Sequence, residues 1–462
     1  MIIDHEKLEL LSKATEPGQS ELNSILKEAS KGRGLGLEEA ASLLAIKDAD
    51  KLGELFKAAG ELKERVFGKR IVLFAPLYLS NYCTNGCTYC GFRAQNRDMA
   101  RRALTIDEAV AEAKALEEMG FKRVLLVTGE DPRWGLDYIA GAVRAIYEKT
   151  GMRIVHVNAP PMDTDSLKEL KAAGAGVYQA FQETYHRPTY ELMHPSGRKK
   201  DYDYRLSVMD RAMEAGFGDV GIGALLGLYD YRFDSLASIA HSLHLFKTFG
   251  AHAHTISIPR LRPAEAGLNE VPWRLSDDEL KKVVAVFRLS VPSAGIVAST
   301  RESAPFRSEL IKIGATQLSA ASKTNPGGYK GEQTLEQFST NDHRSLQEVV
   351  RSVVDEGLLP SLCTTCYRVG RTGHDFTDKA MAGEMEKFCQ ANAVLTLKEY
   401  LLDYCVNGSK EAVNKAIDAG LKEVKDEGAI NEGLKEVKDE GLKKVIIERL
   451  KELDEGKRDL YF

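Results

Sequence analysis

The sequence predicts an α/β protein, a (βα)8 TIM-type barrel with an N-terminal helical cap and a mostly helical C-terminal domain. Three observations carry this. From residue 71 onward, eight short apolar runs alternate with amphipathic stretches, the pattern of parallel strands joined by right-handed helical crossovers. A length of 462 residues with 43% hydrophobic content allows one large barrel with additions. Most of the seven cysteines gather in two groups, one just after the first run and one after the last. The expected division is 1–70 for the cap, 71–340 for the barrel and 341–462 for the C-terminal domain. An open half-barrel is the alternative architecture.

Residues 1–70 read as helical, with apolar residues at three- and four-residue steps in Ser20 to Lys31 and Leu37 to Phe67, and a break at Gly32-Arg-Gly34. The strand runs are Ile71–Leu79, Arg123–Thr128, Arg153–Asn158, Gly176–Gln182, Asp219–Leu226, His254–Pro259, Gly295–Ser299 and Thr316–Ala320. Helical stretches such as Thr105–Met119, Ser276–Leu289 and Ser303–Ile313 lie between them. In such a barrel the active site gathers at the C-terminal ends of the strands. A net charge of −5 gives no reason to expect nucleic acid as partner. No run approaches a membrane span, and the first residues carry no basic region followed by an apolar one. A cytoplasmic chain is therefore expected, and its cysteines read as metal ligands rather than disulfides.

Cys83, Cys87 and Cys90 follow the first run with the spacing Cys-x3-Cys-x2-Cys, and Tyr89 stands just before the third. Thiolates so spaced can wrap an iron–sulfur cluster, which normally takes four cysteines, so one iron stays open to another ligand. A zinc knuckle or three unrelated buried cysteines are the alternatives; zinc wants a fourth ligand, and no nearby Cys or His supplies one. The second group, Cys363, Cys366 and Cys389, is spaced Cys-x2-Cys-x22-Cys and again leaves one iron open. Zinc held by these three and His374 is the bland reading. Cys405 reads as a small core residue of a Leu/Tyr-rich helix. In the tail, Gly420–Gly428 repeats identically as Gly433–Gly441, a short duplication suggesting surface helices.

The strand ends offer further candidates. Val127-Thr-Gly-Glu-Asp131 follows the second run and brings Glu130; its bland reading is a strand-to-helix turn. Gln182 and Glu183 end the fourth run, placed either to reach into a barrel mouth or to lie on a solvated loop. His252 and His254 precede or open the sixth run, and alternation puts both on one strand face. Arg301 ends the seventh, where a guanidinium suits a bidentate grip on a carboxylate, unless it pairs with Glu302.

The cysteine motif resembles the signature of radical S-adenosylmethionine enzymes, and Glu130 falls in a partial match to their Gly-Gly-Glu-like motif, with Thr128 in place of the first glycine. The chain as a whole resembles the HydG family of tyrosine lyases in FeFe-hydrogenase maturation. The match rests on Cys83/Cys87/Cys90, Phe181-Gln-Glu-Thr-Tyr-His-Arg-Pro-Thr-Tyr190, His254-Thr-Ile-Ser257, Ser299-Thr-Arg-Glu302, the Cys363/Cys366/Cys389 set and Arg458-Asp-Leu-Tyr-Phe462.

That resemblance implies two 4Fe-4S clusters and S-adenosylmethionine, the latter bound by the first cluster and Glu130. It implies hydrogen abstraction from the amino group of L-tyrosine, giving p-cresol and dehydroglycine, the latter yielding carbon monoxide and cyanide. It also implies a labile iron with a free cysteine ligand at the second cluster, held through His254. The partners implied are L-tyrosine, a reductant such as ferredoxin or flavodoxin, and the hydrogenase-maturation proteins that receive an iron–carbonyl–cyanide product. The competing functions are a one-cluster aromatic amino acid lyase of the 2-iminoacetate synthase type and a non-catalytic iron–sulfur carrier.

Overall fold

The computed structural model describes residues 2–262, 270–331, 336–404 and 440–462. Cys405 and most of the duplicated tail lie outside them. The cap consists of helices His5–Leu11, Gln19–Ala29, Leu37–Leu44 and Ala49–Phe67. The stretch from Leu37 to Phe67 forms two helices, beginning at the two amphipathic starts its sequence offers, Leu37 and Asp48. Asp48 divides them because its side chain accepts from the N–H groups of Asp50 and Lys51 and starts a new helix.

Among the described residues nine strands form one parallel sheet: β1 (Arg70–Ser80), β2 (Arg123–Thr128), β3 (Ile154–Asn158), β4 (Ala175–Gln179), β5 (Asp219–Gly223), β6 (Thr255–Ser257), β7 (Gly295–Ala298), β8 (Gln317–Ser319) and β9 (Leu359–Ser361). Strands β2 through β8 pair in chain order, and β1 pairs with both β2 and β8, so eight strands close a barrel. The half-barrel alternative is excluded by those two seams. Each strand is a nearly continuous apolar run because side chains are buried on both faces, inside the barrel and beneath the helices. Crossover helices Ile106–Glu118 and Asp277–Ser290 begin with full capping boxes at Thr105/Glu108 and Ser276/Glu279.

The ninth strand has no counterpart in the sequence reading. Ala75–Ser80 of β1 faces β2, but Arg70–Val72, at the bottom of the same edge, pairs with β9. The C-terminal segment therefore enters the sheet itself. From β9 the chain runs on through the short helix Thr365–Arg368 and helices Gly373–Met381 and Met385–Tyr404, which places Cys363 and Cys366 beneath the barrel. Among the described residues no helix is long and apolar enough to cross a membrane.

Candidate active site

The loop after β1 turns sharply over the barrel mouth because its backbone is bonded to the end of β2. Thr84 N–H donates to Glu130 O at 2.8 Å, and Gly129 N–H to Ser80 O at 2.9 Å. A Cβ at Gly129 would stand 2.2 Å from Tyr82 O, so only glycine permits this approach. Glu130 is held as well: Asn85 Nδ2 donates to its Oε2 at 2.7 Å.

This loop brings Cys83, Cys87, Cys90 and Tyr89 to one cavity of about 240 Å³ that occupies the barrel interior. Glu130, Glu183 and Arg301 line it too; Gln182 does not. Gln182 N–H donates to Gly223 O as the chain extends beyond β4, so its side chain points the opposite way from Phe181 and Glu183, and its Nε2 is buried without a partner. The expectation that both residues reach into the mouth holds in geometry for Glu183 alone.

Several cavity groups carry no sequence signal. Lys199 Nζ lies 2.6 Å from Glu183 Oε1. Burial would raise the Glu183 carboxyl, but the Lys199 and Arg205 charges outweigh it and hold the group below the ordinary carboxylate range. Glu183 itself adopts φ 71°, an uncommon left-handed conformation for a non-glycine residue. Asp234 fixes the turn beyond it, accepting from Thr184 Oγ1 at 3.0 Å and Tyr185 N–H at 2.7 Å. His194 Nδ1 lies 2.7 Å from Tyr190 O, which can only accept, so Nδ1 carries the proton and Nε2 accepts from the Tyr89 hydroxyl at 2.7 Å. That imidazole is neutral, its pKa pushed down to about 3 by burial and then by Lys199.

Arg301 is not paired with Glu302. Glu302 is engaged by Arg260 and Arg262. The Arg301 guanidinium lies over the Phe338 ring at 3.4 Å and, among the described residues, makes no ion pair.

At the opposite end the cavity reaches Arg123 and His156. Arg123 NH2 donates to Cys363 O at 2.5 Å, and the His156 ring packs edge-on to Tyr367 at 4.9 Å between centroids. The floor of the cavity therefore touches the segment that bears the second cysteines. Burial raises the Cys366 thiol, and the Cys389 and Cys363 thiols near it add to the effect. Thr365 N–H donates to Cys363 Sγ at 3.4 Å. His374, the fourth ligand of the zinc alternative, is mostly exposed and instead lies 3.1 Å from Asp378.

His252 and His254 do not share a face. Strand β6 begins only at Thr255, so alternation does not govern them. His252 turns to helix Tyr231–Phe249, where its ring stacks on Phe246 at 4.4 Å and Nδ1 meets Ser242 Oγ at 3.2 Å. His254 turns inward: Nε2 meets the Tyr367 hydroxyl at 3.0 Å, and Nδ1 lies 3.3 Å from Asp219 Oδ2. Neither of the latter two atoms has a hydrogen bond.

Both cysteine sets suit iron–sulfur clusters. All six described cysteines are free. Burial pushes the Cys87 thiol up to about 12 and raises Cys90 and Cys389, so thiolates form here only if a cation replaces the proton. Among the described residues no three His, Cys, Asp or Glu side chains converge at the spacing of a single metal ion.

Comparison with known proteins agrees with this arrangement. Residues 77–242 match the Radical SAM superfamily, and residues 257–359 match the Biotin and Thiamin Synthesis associated domain. 2-Iminoacetate synthase of Escherichia coli (strain K12) is 37% identical over 327 residues, covering 70% of this chain and 85% of the relative. A crystal structure of HydG, a maturase of the FeFe-hydrogenase, superposes with TM-score 0.91 at 44% identity, covering 100% of both chains. HydG from Carboxydothermus hydrogenoformans gives TM-score 0.81 at 38% identity, covering 96% of this chain and 97% of that one. With one cysteine set at the mouth of the barrel cavity, the second on the segment that Arg123 contacts at its floor, and likeness over its whole length, the chain belongs to the HydG family of FeFe-hydrogenase maturases, within the radical S-adenosylmethionine superfamily.

Proposed function

We propose that the chain is a radical S-adenosylmethionine lyase that cleaves the Cα–Cβ bond of L-tyrosine into p-cresol and dehydroglycine. The dehydroglycine is converted to carbon monoxide and cyanide at the second cysteine set, for assembly of the FeFe-hydrogenase active-site cluster. The observation that carries this reading is the single cavity whose mouth is lined by Cys83, Cys87 and Cys90 and whose floor, through Arg123, touches Cys363. A fragment released at the mouth is enclosed in a cavity whose floor adjoins the Cys363 segment. The HydG structures support the maturase role and 2-iminoacetate synthase the lyase chemistry.

When bound, the first cluster, held by Cys83, Cys87 and Cys90, would supply the electron that cleaves S-adenosylmethionine, and the second, held by Cys363, Cys366 and Cys389, would supply an iron open to further ligands. The chain's own residues do the rest. Glu130, fixed by Asn85, presents a carboxylate to the ammonium of S-adenosylmethionine. Arg301, over Phe338, offers its planar fork to the tyrosine carboxylate. Glu183 and Lys199 form a compensated pair that orients polar groups without adding net charge. Tyr78, Phe92, Phe181 and Phe338 line the cavity and exclude water from reactive fragments. His254 holds the labile iron, with Asp219 beside Nδ1 as the carboxylate that orients metal-bound imidazoles. In this reading 1–70 is a supporting cap, 71–340 the lyase barrel and 341–462 the domain of the second cluster.

The test is anaerobic reconstitution followed by iron counting and a p-cresol assay with L-tyrosine and reductant. The expected result is p-cresol with roughly eight or nine irons per chain. About four irons with p-cresol would leave a one-cluster lyase. Clusters without cleavage of S-adenosylmethionine would leave a carrier.

A further inference from the structure

We propose that Gln337 sets the reduction potential of the cluster held by Cys83, Cys87 and Cys90, by donating a hydrogen bond to the Cys90 thiolate. The inference rests on the reading of those cysteines as cluster ligands. After β8 the chain returns across the barrel mouth, and Gln337 is fixed there at four points. Its N–H donates to Thr324 O at 3.1 Å, and its carbonyl accepts from Gly91 N–H at 3.1 Å. Its Oε1 accepts from the Tyr78 hydroxyl at 2.8 Å, and its Nε2 lies 3.7 Å from Cys90 Sγ, an ordinary length for a bond to sulfur. The segment presses directly on the cysteine loop: a Cβ at Gly91 would stand 2.7 Å from Glu336 O and 3.0 Å from Gln337 O.

The amide orientation follows from charge. Turned over, Gln337 would aim its oxygen at a thiolate; as placed, it offers N–H to sulfur while its oxygen takes the Tyr78 proton. Burial raises the Tyr78 phenol, so it stays protonated and able to donate. Reduction adds negative charge to the cluster and its sulfurs. A fixed N–H donor stabilises that form more than the oxidised one and raises the potential. The next residue, Phe338, lies under Arg301, so the same segment spans the cluster loop and the proposed substrate anchor.

The test compares Gln337→Met, which removes the donor at similar volume, and Gln337→Glu, which keeps an acceptor for Tyr78 but replaces the donor with a negative charge. Iron content and the electron paramagnetic resonance signal that changes on adding S-adenosylmethionine are measured at a series of fixed potentials. At equal iron content, the reduced-to-oxidised ratio should fall roughly tenfold in Gln337→Met, the weight of one hydrogen bond to a charged group, and further in Gln337→Glu. Equal ratios in all three proteins overturn the inference. If Gln337→Met loads poorly, Gln337→Glu decides by the same ratio. A wild-type chain with no S-adenosylmethionine-sensitive signal would count against the cluster reading instead, which keeps the two failures apart.

Discussion

The two cysteine sets solve the same problem by different means. The first sits within eight residues on one loop, pinned by backbone bonds to the end of β2 and by Gln337 from above. The second is gathered from two places, with Cys363 and Cys366 following β9 and Cys389 carried on helix Met385–Tyr404. Their electrostatic settings differ too. Beside the first, Lys199 is matched by Glu183. Beside the second, Arg70 and Arg371 oppose the rise that burial and Cys363 impose on the Cys389 thiol. A local loop makes a cluster site that depends on sequence spacing; a gathered one depends on the docking of a domain.

The comparison breaks most sharply at Cys87. Cys87→Ala should abolish p-cresol formation and remove about half of the iron, while the second set keeps its own. Normal p-cresol from this variant would end the radical reading. Next is His254, which separates the two ends. His254→Ala should retain p-cresol but lose the labile iron and the infrared bands of iron-bound carbonyl, since alanine offers no ligand. His252→Ala should keep both, because that ring is committed to Phe246 and Ser242. The reverse pattern would move the ligand to His252.

A smaller effect is expected at Arg301. Arg301→Lys keeps the charge but loses the fork and its stacking on Phe338, so the apparent KM for tyrosine should rise roughly tenfold, with both clusters intact. An unchanged KM would make Arg301 a structural residue. A further effect concerns stability rather than turnover. Glu183→Gln leaves Lys199 buried without its counter-charge and should cost about 3 kcal/mol in denaturant unfolding of the apoprotein. Glu183 has a depressed pKa in the folded chain. Its contribution is therefore present above the ordinary carboxylate range and is lost as pH falls through the depressed value. The gap between the two proteins should hold from pH 8 to pH 5 and narrow only in stronger acid. A gap that closes already near neutrality would contradict the pairing.

What the sequence made legible follows from the range of the forces involved. All eight barrel strands fall within or beside the apolar runs, because burial on both faces writes itself into consecutive residues. The cysteine loop was equally plain, its spacing being a local property. β9 was not, since Leu359-Pro-Ser361 is three residues with a central proline and takes its conformation from pairing with β1. Lys199 sits in Gly197-Arg-Lys-Lys200, which reads as a solvated charge run until the fold turns it toward Glu183. Gln337 and Tyr367 carry no spacing rule and matter only through neighbours distant in sequence. The shared face expected for His252 and His254 failed because the strand starts only at Thr255, beyond both.

The ninth strand also has a consequence in time. During synthesis β1 leaves the ribosome early, and its upper half meets β2 soon afterwards. The lower half, Arg70–Val72, waits for Leu359–Ser361. Pairings between segments so distant in sequence are slow to form, since the intervening loop must close first. The barrel's top seam and the Cys83–Cys90 loop can therefore mature while the bottom is still incomplete. Cys363 and Cys366 come into place only when β9 docks, and Cys389 follows later still. The order of translation thus sets an order of assembly, with the end that bears Cys83, Cys87 and Cys90 built before the end that bears Cys363, Cys366 and Cys389.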